Sequence, residues 1–304
     1  MDCSARRCAV FDFLTYLLTI GGIYAIMALG LNIQAGYGGL LNFGHIAFAG
    51  IGAYATGIAH ARGWPVPAGM ALGMALATAL GWCIGRLGRR LAADYWGIAT
   101  LAVAEILRTV ALNEDWLTGG ANGISAIPGL FENQPRPWNE LLFMALVLGL
   151  VALLAWLSAR LGDGRFGRAI RLMREQPQLA ACMGYDLQSL KTRTVMSGAA
   201  VTALAGSLYA LQMNFAGPEF LLAAETFVLW TMLMVGGIGR TAGVLLGVVL
   251  LQAVHAFVPF AKDMLGFDSD RAGALRLGMI GLILLACLLL RREGLLPEKL
   301  RASA

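Results

Sequence analysis

Long stretches of the chain contain no charged residue. Five runs lack Asp, Glu, Lys and Arg entirely: residues 13–61, 63–85, 141–159, 194–218 and 241–261. A helix needs about 20 predominantly apolar residues to cross a bilayer, so each run is long enough for one span and the first for two. The runs are continuously apolar and do not alternate every second residue, as membrane β-barrel strands do. The pattern therefore predicts an all-α polytopic membrane protein, with residues 1–304 forming a single transmembrane domain.

The apolar pattern divides into nine segments, which we interpret as about nine transmembrane helices. They cover residues 13–34, 37–59, 66–85, 95–112, 140–159, 194–212, 226–239, 241–260 and 273–290. Lysines and arginines concentrate in the connections 86–94, 160–193 and 291–304 and at Arg240, and this bias places those connections in the cytoplasm. Nine crossings then put the N-terminus outside. A cytoplasmic N-terminus, which Arg6 and Arg7 favour, is the alternative, and it requires that one segment does not cross, for example if the stretch around Gly36, Gly38 and Gly39 is re-entrant. A cleaved signal peptide is a further alternative for the start of the chain, although the apolar stretch there is far longer than a signal core.

The composition supports this prediction. The chain of 304 residues is 58% hydrophobic and 13% charged, whereas soluble domains carry about a quarter charged residues. Its 39 glycines suit close contact between helices in lipid, where small residues let backbones approach. The five cysteines form no pair or cluster with the spacing of metal ligands, so no metal site is expected.

Two glycine-rich breaks interrupt the apolar pattern, one in each half of the chain. The first runs from Gly36 to His45 and includes Asn42; the second runs from Gly236 to Gly243 and follows an apolar run of only 14 residues. Irregular backbone at membrane depth is tolerated only where it is buried in protein or lines a cavity. Paired breaks in two halves of a chain therefore indicate a transport pathway. The alternative is that the glycines serve only helix packing and a tight turn.

Glu105 is a charged residue within the fourth segment. It lies about ten residues, or roughly 15 Å, from the cytoplasmic end of that segment, near the middle of the membrane if the helix is straight. Arg108 follows three residues later on the same helix face, so the two side chains can pair. Charged side chains at this depth usually face a bundle interior or a wet cavity. A self-neutralised structural pair near the outer interface is the alternative interpretation.

The connection 160–193 is longer than two neighbouring spans require, since about two to eight residues would join them. A basic helical stretch runs to Pro177, and a short amphipathic piece follows, ending at Gly184, which suits a helix C-terminus. One hypothesis is a cytoplasmic partner that packs on Leu179, Ala180 and Met183. The other is anionic lipid held by the arginines. Plain positive-inside topology also accounts for the arginines.

Four motifs occur in order along the chain. They are Gly30-Leu31-Asn32 through Gly36-Tyr37-Gly38-Gly39, Asn42-Phe43-Gly44-His45 and Gly50-Ile51-Gly52-Ala53-Tyr54; Tyr95 through Glu105 to Arg108; Thr118-Gly119-Gly120-Ala121-Asn122-Gly123; and Gly164-Arg165 through Arg171 to Ala180-Ala181 and Gly184. Together they resemble the inner-membrane permease subunits of ABC importers for branched-chain amino acids, the LivM/LivH type. The resemblance extends from about residue 20 to residue 290.

The resemblance implies the ABC importer permease fold and ATP-driven translocation of branched-chain amino acids, or related small amino acids and amides, across the bacterial inner membrane. It also implies a second permease subunit, two ATP-binding subunits and an extracytoplasmic solute-binding protein as partners, in lipid and without nucleic acid. The sequence lacks Gly-x-x-x-x-Gly-Lys-Ser/Thr, and the dipeptide Gly-Lys never occurs. Because a phosphate-binding loop of that type needs its lysine, we expect a transport subunit that binds no cofactor and leaves ATP to its partners.

The resemblance also suggests roles for residues at the matching positions. The residues expected to line or support the substrate pathway are Asn42, His45, Phe48, Tyr54, Glu105 and Asn122. Coupling to the ATPase is expected in the loop 160–193, through Glu175, Leu179, Ala180 and Ala181, with a turn at Gly184.

Two other classes of function are open to this sequence. An ion-coupled secondary transporter or channel for a small polar solute would use Glu105 or His45 as its coupling site. A membrane-embedded enzyme is the third class, but no intramembrane Ser/His pair, Asp pair or His-rich cluster occurs at useful spacing. ATPase subunits that co-purify with the chain would favour the importer, and transport by the chain alone would favour the secondary transporter.

Overall fold

The fold is almost entirely helical. The computed structural model describes residues 3–88, 91, 93–132, 134–265, 278–279, 281–287, 289 and 294–296. The α-helices are α1 (Cys3–Leu31), α2 (Ile46–Ala61), α3 (Val66–Leu87), α4 (Ala93–Asn113), α5 (Asp115–Thr118), α6 (Trp138–Asp163), α7 (Arg165–Glu175), α8 (Pro177–Cys182), α9 (Leu187–Met213), α10 (Ala223–Gly236) and α11 (Thr241–Leu265). A π-helical turn (Asn32–Tyr37) continues α1, and 3₁₀ turns occupy Gly120–Asn122 and Pro218–Leu221. Two short strands, β1 (Ile124–Ser125) and β2 (Phe215–Ala216), pair antiparallel.

The predicted all-α membrane class is confirmed. Each of the first eight apolar segments overlaps a helix, although residues 38–45 of the second segment are not helical. The described residues of the ninth, at 278–279, 281–287 and 289, are helical as well. Five described helices are long and apolar enough to cross a membrane: Phe11–Tyr37, Val66–Leu87, Tyr95–Asn113, Trp138–Asp163 and Leu187–Met213. The pair α10–α11 passes the same test together but bends by 119°, and α2 is a shorter apolar helix. The count of nine spans stays a prediction.

Helix α9 is the central element and packs against α1, α2 and α3. Small residues make this close packing possible. A methyl group on Gly206 would collide with the main chain of Ala49 in α2, and one on Gly52 would collide with the main chain of Ala203 in α9. Backbones in direct contact gain dispersion energy that larger side chains would prevent. The glycines of these apolar segments therefore fix helix spacing.

The two ends of α9 carry different structures. At 27 residues, α9 is roughly 40 Å long, with α7 and α8 before its first residue and β2 after its last. The β1–β2 pair joins the loop after α4 to the loop after α9, and Asn214 Nδ2 strengthens the junction by donating to the Ile127 carbonyl at 2.9 Å. The arginine bias predicts that the α7–α8 end faces the cytoplasm, and on that prediction we refer to the β1–β2 end as the outer end.

Candidate functional site

The two glycine-rich breaks meet in the interior of the molecule. Asn32 Oδ1, in the π-helical turn, accepts a hydrogen bond from Gly239 N at 3.0 Å, and both residues are buried. A methyl group on Gly36 would lie 2.9 Å from that same nitrogen, so only glycine allows the approach. Gly237 (φ 117°) and Gly239 (φ 83°) adopt backbone conformations that favour glycine, and there the chain reverses from α10 into α11.

A cluster of buried polar side chains lies beside the first break, and we refer to Gln34, Asn42, His45 and Thr202 as the polar cluster. Gln34 Oε1 accepts from Asn42 Nδ2 at 2.8 Å and lies 3.3 Å from His45 Nδ1. The other ring nitrogen, Nε2, lies 2.7 Å from Thr202 Oγ1 on α9. Gln34 Nε2 donates to the Val195 carbonyl at 3.0 Å. The cluster therefore ties the break to α9.

Side chains of α4 and α10 satisfy the irregular backbone of residues 42–46. The bonds are Trp230 Nε1 to the Asn42 carbonyl at 3.1 Å, Phe43 N to Thr100 Oγ1 at 3.1 Å, and Ile46 N to Thr226 Oγ1 at 3.2 Å. An unpaired backbone group in a water-free interior is costly. These bonds remove that cost and hold the break in one position.

A cavity of about 380 Å³ lies between α1, α2, α9 and the start of α10. Met27 and Ile46 are its residues nearest the polar cluster, and Met213 at the end of α9 belongs to its outer side. Along α9 the step from Thr202 to Met213 is roughly 16 Å. The cavity therefore lies between the polar cluster and the outer end of the molecule.

Two carboxylates line this otherwise largely apolar cavity. Glu225, in the first turn of α10, is partly buried, and its Oε2 accepts a hydrogen bond from the Tyr24 hydroxyl at 2.7 Å. Glu219, in the 3₁₀ turn before α10, is exposed. Sequence reasoning did not select either residue, because each lies just outside an apolar segment, where acidic residues are common.

Among the six predicted pathway residues, three lie together. Asn42 and His45 belong to the polar cluster, and Phe48 is fully buried with its ring edge-on to His45 at 6.0 Å between centroids. Tyr54 lies farther along α2; it is 7% exposed, and its hydroxyl has no hydrogen-bond partner in the described part of the chain.

The other two predicted pathway residues lie apart from the cluster. Glu105 pairs with Arg108 at 2.6 Å, as its spacing indicated, but the Glu105 side chain is 50% exposed on the surface of α4. Asn122 is exposed in the loop at the outer end. The polar cluster and the cavity draw on neither residue.

Helix α7 packs on the first break, on the side that the arginine bias predicts to be cytoplasmic. Its buried face, which includes Ile170 and Met173, contacts Tyr37. Arg174 Nη1 donates to the Gly36 carbonyl, and the Arg171 guanidinium lies 5.0 Å from the centre of the Tyr37 ring. The sequence showed these arginines only as part of a basic run, and no local signal marked them as contacts of the break.

The predicted coupling residues lie at the end of α7 and along α8. Ala180 is fully buried, whereas Leu179 is 45% exposed and Ala181 is also exposed. Glu175 pairs with Arg174 at 3.0 Å. Gly184 has a φ of 84°, and a methyl group there would meet open space, so its requirement for glycine is conformational.

The comparisons with known proteins agree with each other. The family model for the permease component of branched-chain amino acid transport systems matches residues 13–288. The high-affinity branched-chain amino acid transport permease LivM of Escherichia coli is 32% identical, over 92% of this chain and 69% of its own length. A probable LivM of Methanocaldococcus jannaschii is 30% identical over 95% and 94%, and LivH of Escherichia coli is 28% identical over 79% and 82%. No solved structure matches the chain.

Proposed function

The chain belongs to the permease-component family of branched-chain amino acid transport systems, and we propose that it forms one half of the membrane pore of an ATP-driven importer. It is a multi-pass membrane protein and a transport subunit, not the ATPase. The proposed cargo is branched-chain amino acids, which the names of its relatives give, or related small amino acids and amides. In a bacterial inner membrane it would work with a second permease subunit, two ATP-binding subunits and an extracytoplasmic solute-binding protein.

The observation that carries the proposal is the contact between α7 and the first break. Arg174 donates a charged hydrogen bond to the Gly36 carbonyl and also pairs with Glu175, at the junction with α8. Charge-assisted bonds of this kind are about twice as strong as neutral ones. A movement of α7 would therefore pull directly on residues 36–39, and α7 is the element that a cytoplasmic motor can reach.

Helix α8 supplies the docking segment for the ATPase in this proposal. Leu179 and Met183 are 45% and 63% exposed, and exposed apolar side chains grouped on one surface indicate a protein contact. Leu179 and Ala181 would enter a groove of the ATPase, while the buried Ala180 would anchor α8 to the permease. Gly184 would let the chain turn away after the contact.

The polar cluster is proposed as the gate, with the cavity on its outer side. Substrate released by the binding protein would pass Tyr54, farther along α2, enter the cavity and be stopped by Asn42, His45 and Phe48. When the ATPase moves α7, the pull on residues 36–39 would rearrange the hydrogen bonds of the cluster. A bonded cluster can exchange one set of partners for another, which gives a gate two discrete states.

Glu105 and Asn122 would act at the edges of the pathway. A half-exposed ion pair within a span is unfavourable against lipid, so we place Glu105 and Arg108 against the second permease subunit. Asn122, in the outer loop with Glu114 and Asp115, would face the solute-binding protein. At both positions a protein partner would form hydrogen bonds with these polar side chains, which lipid tails cannot do.

Reconstitution of the complex into liposomes tests this function. The chain, its second permease subunit and its ATPase subunits, with the binding protein added outside, should take up leucine, isoleucine or valine only when ATP is present inside. ATPase subunits should co-purify with the chain. Solute transport by the chain alone, driven by an ion gradient and without nucleotide, would contradict the proposal and support a secondary transporter.

A further inference from the structure

We propose that the cavity between α1, α2, α9 and α10 holds the amino acid during transport, with its ammonium group bound to Glu225 beside Tyr24. This inference rests on the proposed function and adds a binding site and a chemical requirement to it. The cargo must be a small molecule that carries both an ammonium group and an apolar side chain.

The first support is a carboxylate without a cation. Glu225 is partly buried in the cavity wall and accepts a hydrogen bond from Tyr24. In the part of the chain that the structure describes, no lysine, arginine or histidine forms an ion pair with it. Charges that are partly or fully withdrawn from water are normally paired in proteins. A substrate ammonium group would supply the missing charge.

The second support is an unsatisfied hydroxyl on α2, the helix that lines the cavity with Ile46 and Ala49 and packs against the 3₁₀ turn that carries Glu219. Tyr54 is 7% exposed, and its hydroxyl has no partner among the described residues. A buried hydroxyl without a protein partner destabilises the folded state unless a ligand or water forms a hydrogen bond with it. The Glu225 carboxylate and the Tyr54 hydroxyl are therefore both available to a solute that enters from outside.

The third support is the apolar character of the other residues that line the cavity. Met27, Ile46, Phe220 and Leu222 line the cavity, and no described lining residue is cationic. A volume of about 380 Å³ lies in the range of small-molecule sites, which are mostly apolar with a few placed polar groups. The wall therefore suits a branched aliphatic side chain. An anionic solute would find no cation among the described lining residues. Urea or a simple amide would donate N–H hydrogen bonds to Glu225 but would bring no positive charge to balance it.

The test uses the complete complex in liposomes with its binding protein. Glu225→Gln keeps an acceptor for Tyr24 but removes the charge, so folding should be preserved. We expect kcat/KM for leucine uptake to fall about tenfold or more, because a neutral amide forms no ion pair with the ammonium group, while ATP hydrolysis and subunit assembly stay normal. Glu140→Gln is the matched control, since Glu140 is also partly buried but pairs with the exposed Arg136 at 3.3 Å and lines a different cavity.

A second measurement reports on binding directly. Leu222→Cys, in a complex whose chain lacks its five native cysteines, should react with a maleimide added from outside. Leucine should slow that reaction, whereas isocaproate, which has the same side chain but no ammonium group, should not. Adding Glu225→Gln should abolish the protection by leucine.

The outcomes separate this inference from the proposed function. If the complex imports leucine with ATP but Glu225→Gln imports it equally well, and leucine does not protect Leu222→Cys, the ammonium site is wrong and the importer stands. If the complex imports urea or an amide but no amino acid, the ammonium site is also wrong. If the complete complex imports none of these solutes with ATP, the proposed function fails and the site fails with it.

Discussion

The first break and helix α8 differ in what covers them. Both are short segments, one containing glycines and the other followed by Gly184. The break is largely buried and has partners from α4, α9 and α10 for its irregular backbone and polar side chains. Helix α8 is anchored by the buried Ala180 and exposes the apolar Leu179 and Met183. The break is complete within this chain, whereas α8 has a surface that only another molecule can cover. Arg174 lies between them and touches the break.

The largest loss of stability is expected in the first break, whose hydrogen bonds are supplied by this chain. Gln34→Leu would leave Asn42, His45 and the Val195 carbonyl without their partner in the interior. Each unsatisfied buried group costs about 1–3 kcal/mol, so we expect a loss of at least about 3 kcal/mol in stability and no uptake. Thermal unfolding of the purified complex measures the change.

Gln252→Leu provides the matched control for that substitution. Gln252 is 7% exposed, and its Nε2 has no hydrogen-bond partner among the described residues. Its replacement by leucine should therefore cost much less. Equal destabilisation by the two variants would mean that the polar cluster has no special role in holding the break.

The next effect concerns the link between the two regions. Arg174→Met keeps the methylene groups that pack under Gly39 but removes the bond to the Gly36 carbonyl. Uptake should fall about tenfold, while ATP hydrolysis stimulated by the binding protein continues. Arg165→Met, on the exposed side of the same helix, should behave like the wild type. If Arg174→Met reduces ATP hydrolysis and uptake in equal proportion, α7 does not transmit movement to the break.

A smaller effect is expected at the turn after α8. Gly184→Leu places a side chain in open space but forces it into left-handed backbone, at a local cost of about 1–2 kcal/mol. The reoriented α8 should dock poorly, so uptake per ATP should fall severalfold without loss of membrane insertion. Gly149→Leu, on an exposed face of α6 with normal backbone, is the control. Normal transport by Gly184→Leu would show that α8 is not the coupling segment.

The smallest effect is expected at the Glu105–Arg108 pair, which we place against the second permease subunit. Glu105→Gln leaves Arg108 unpaired against the second permease subunit, and the amount of that subunit that co-purifies should drop modestly. The double variant Glu105→Gln with Arg108→Gln should recover part of the loss. Complete loss of uptake with unchanged assembly would instead indicate that Glu105 couples transport to an ion.

The sequence predicted the break much better than it predicted the site. Glycines beside Asn42 and His45 in an apolar run are a local signal, and the structure places both residues in one buried cluster. Gln34 and Thr202 complete that cluster but carry no local signal, because isolated polar residues in apolar helices are usually bonded within their own helix. Glu105 attracted attention through its charge, yet its side chain points to the outside of α4.

The amino-acid sequence determined the class of protein, the positions of the helices, the two breaks and the bias of arginines to one end, because hydropathy, glycine content and charge act over neighbouring residues. Only the tertiary structure decided which groups meet. Thr202 reaches His45 across 157 positions, Arg174 reaches Gly36 across 138, and Tyr24 reaches Glu225 across 201. Such contacts depend on how helices pack around α9, and that packing is set by the sum of many weak contacts that no single stretch of sequence contains.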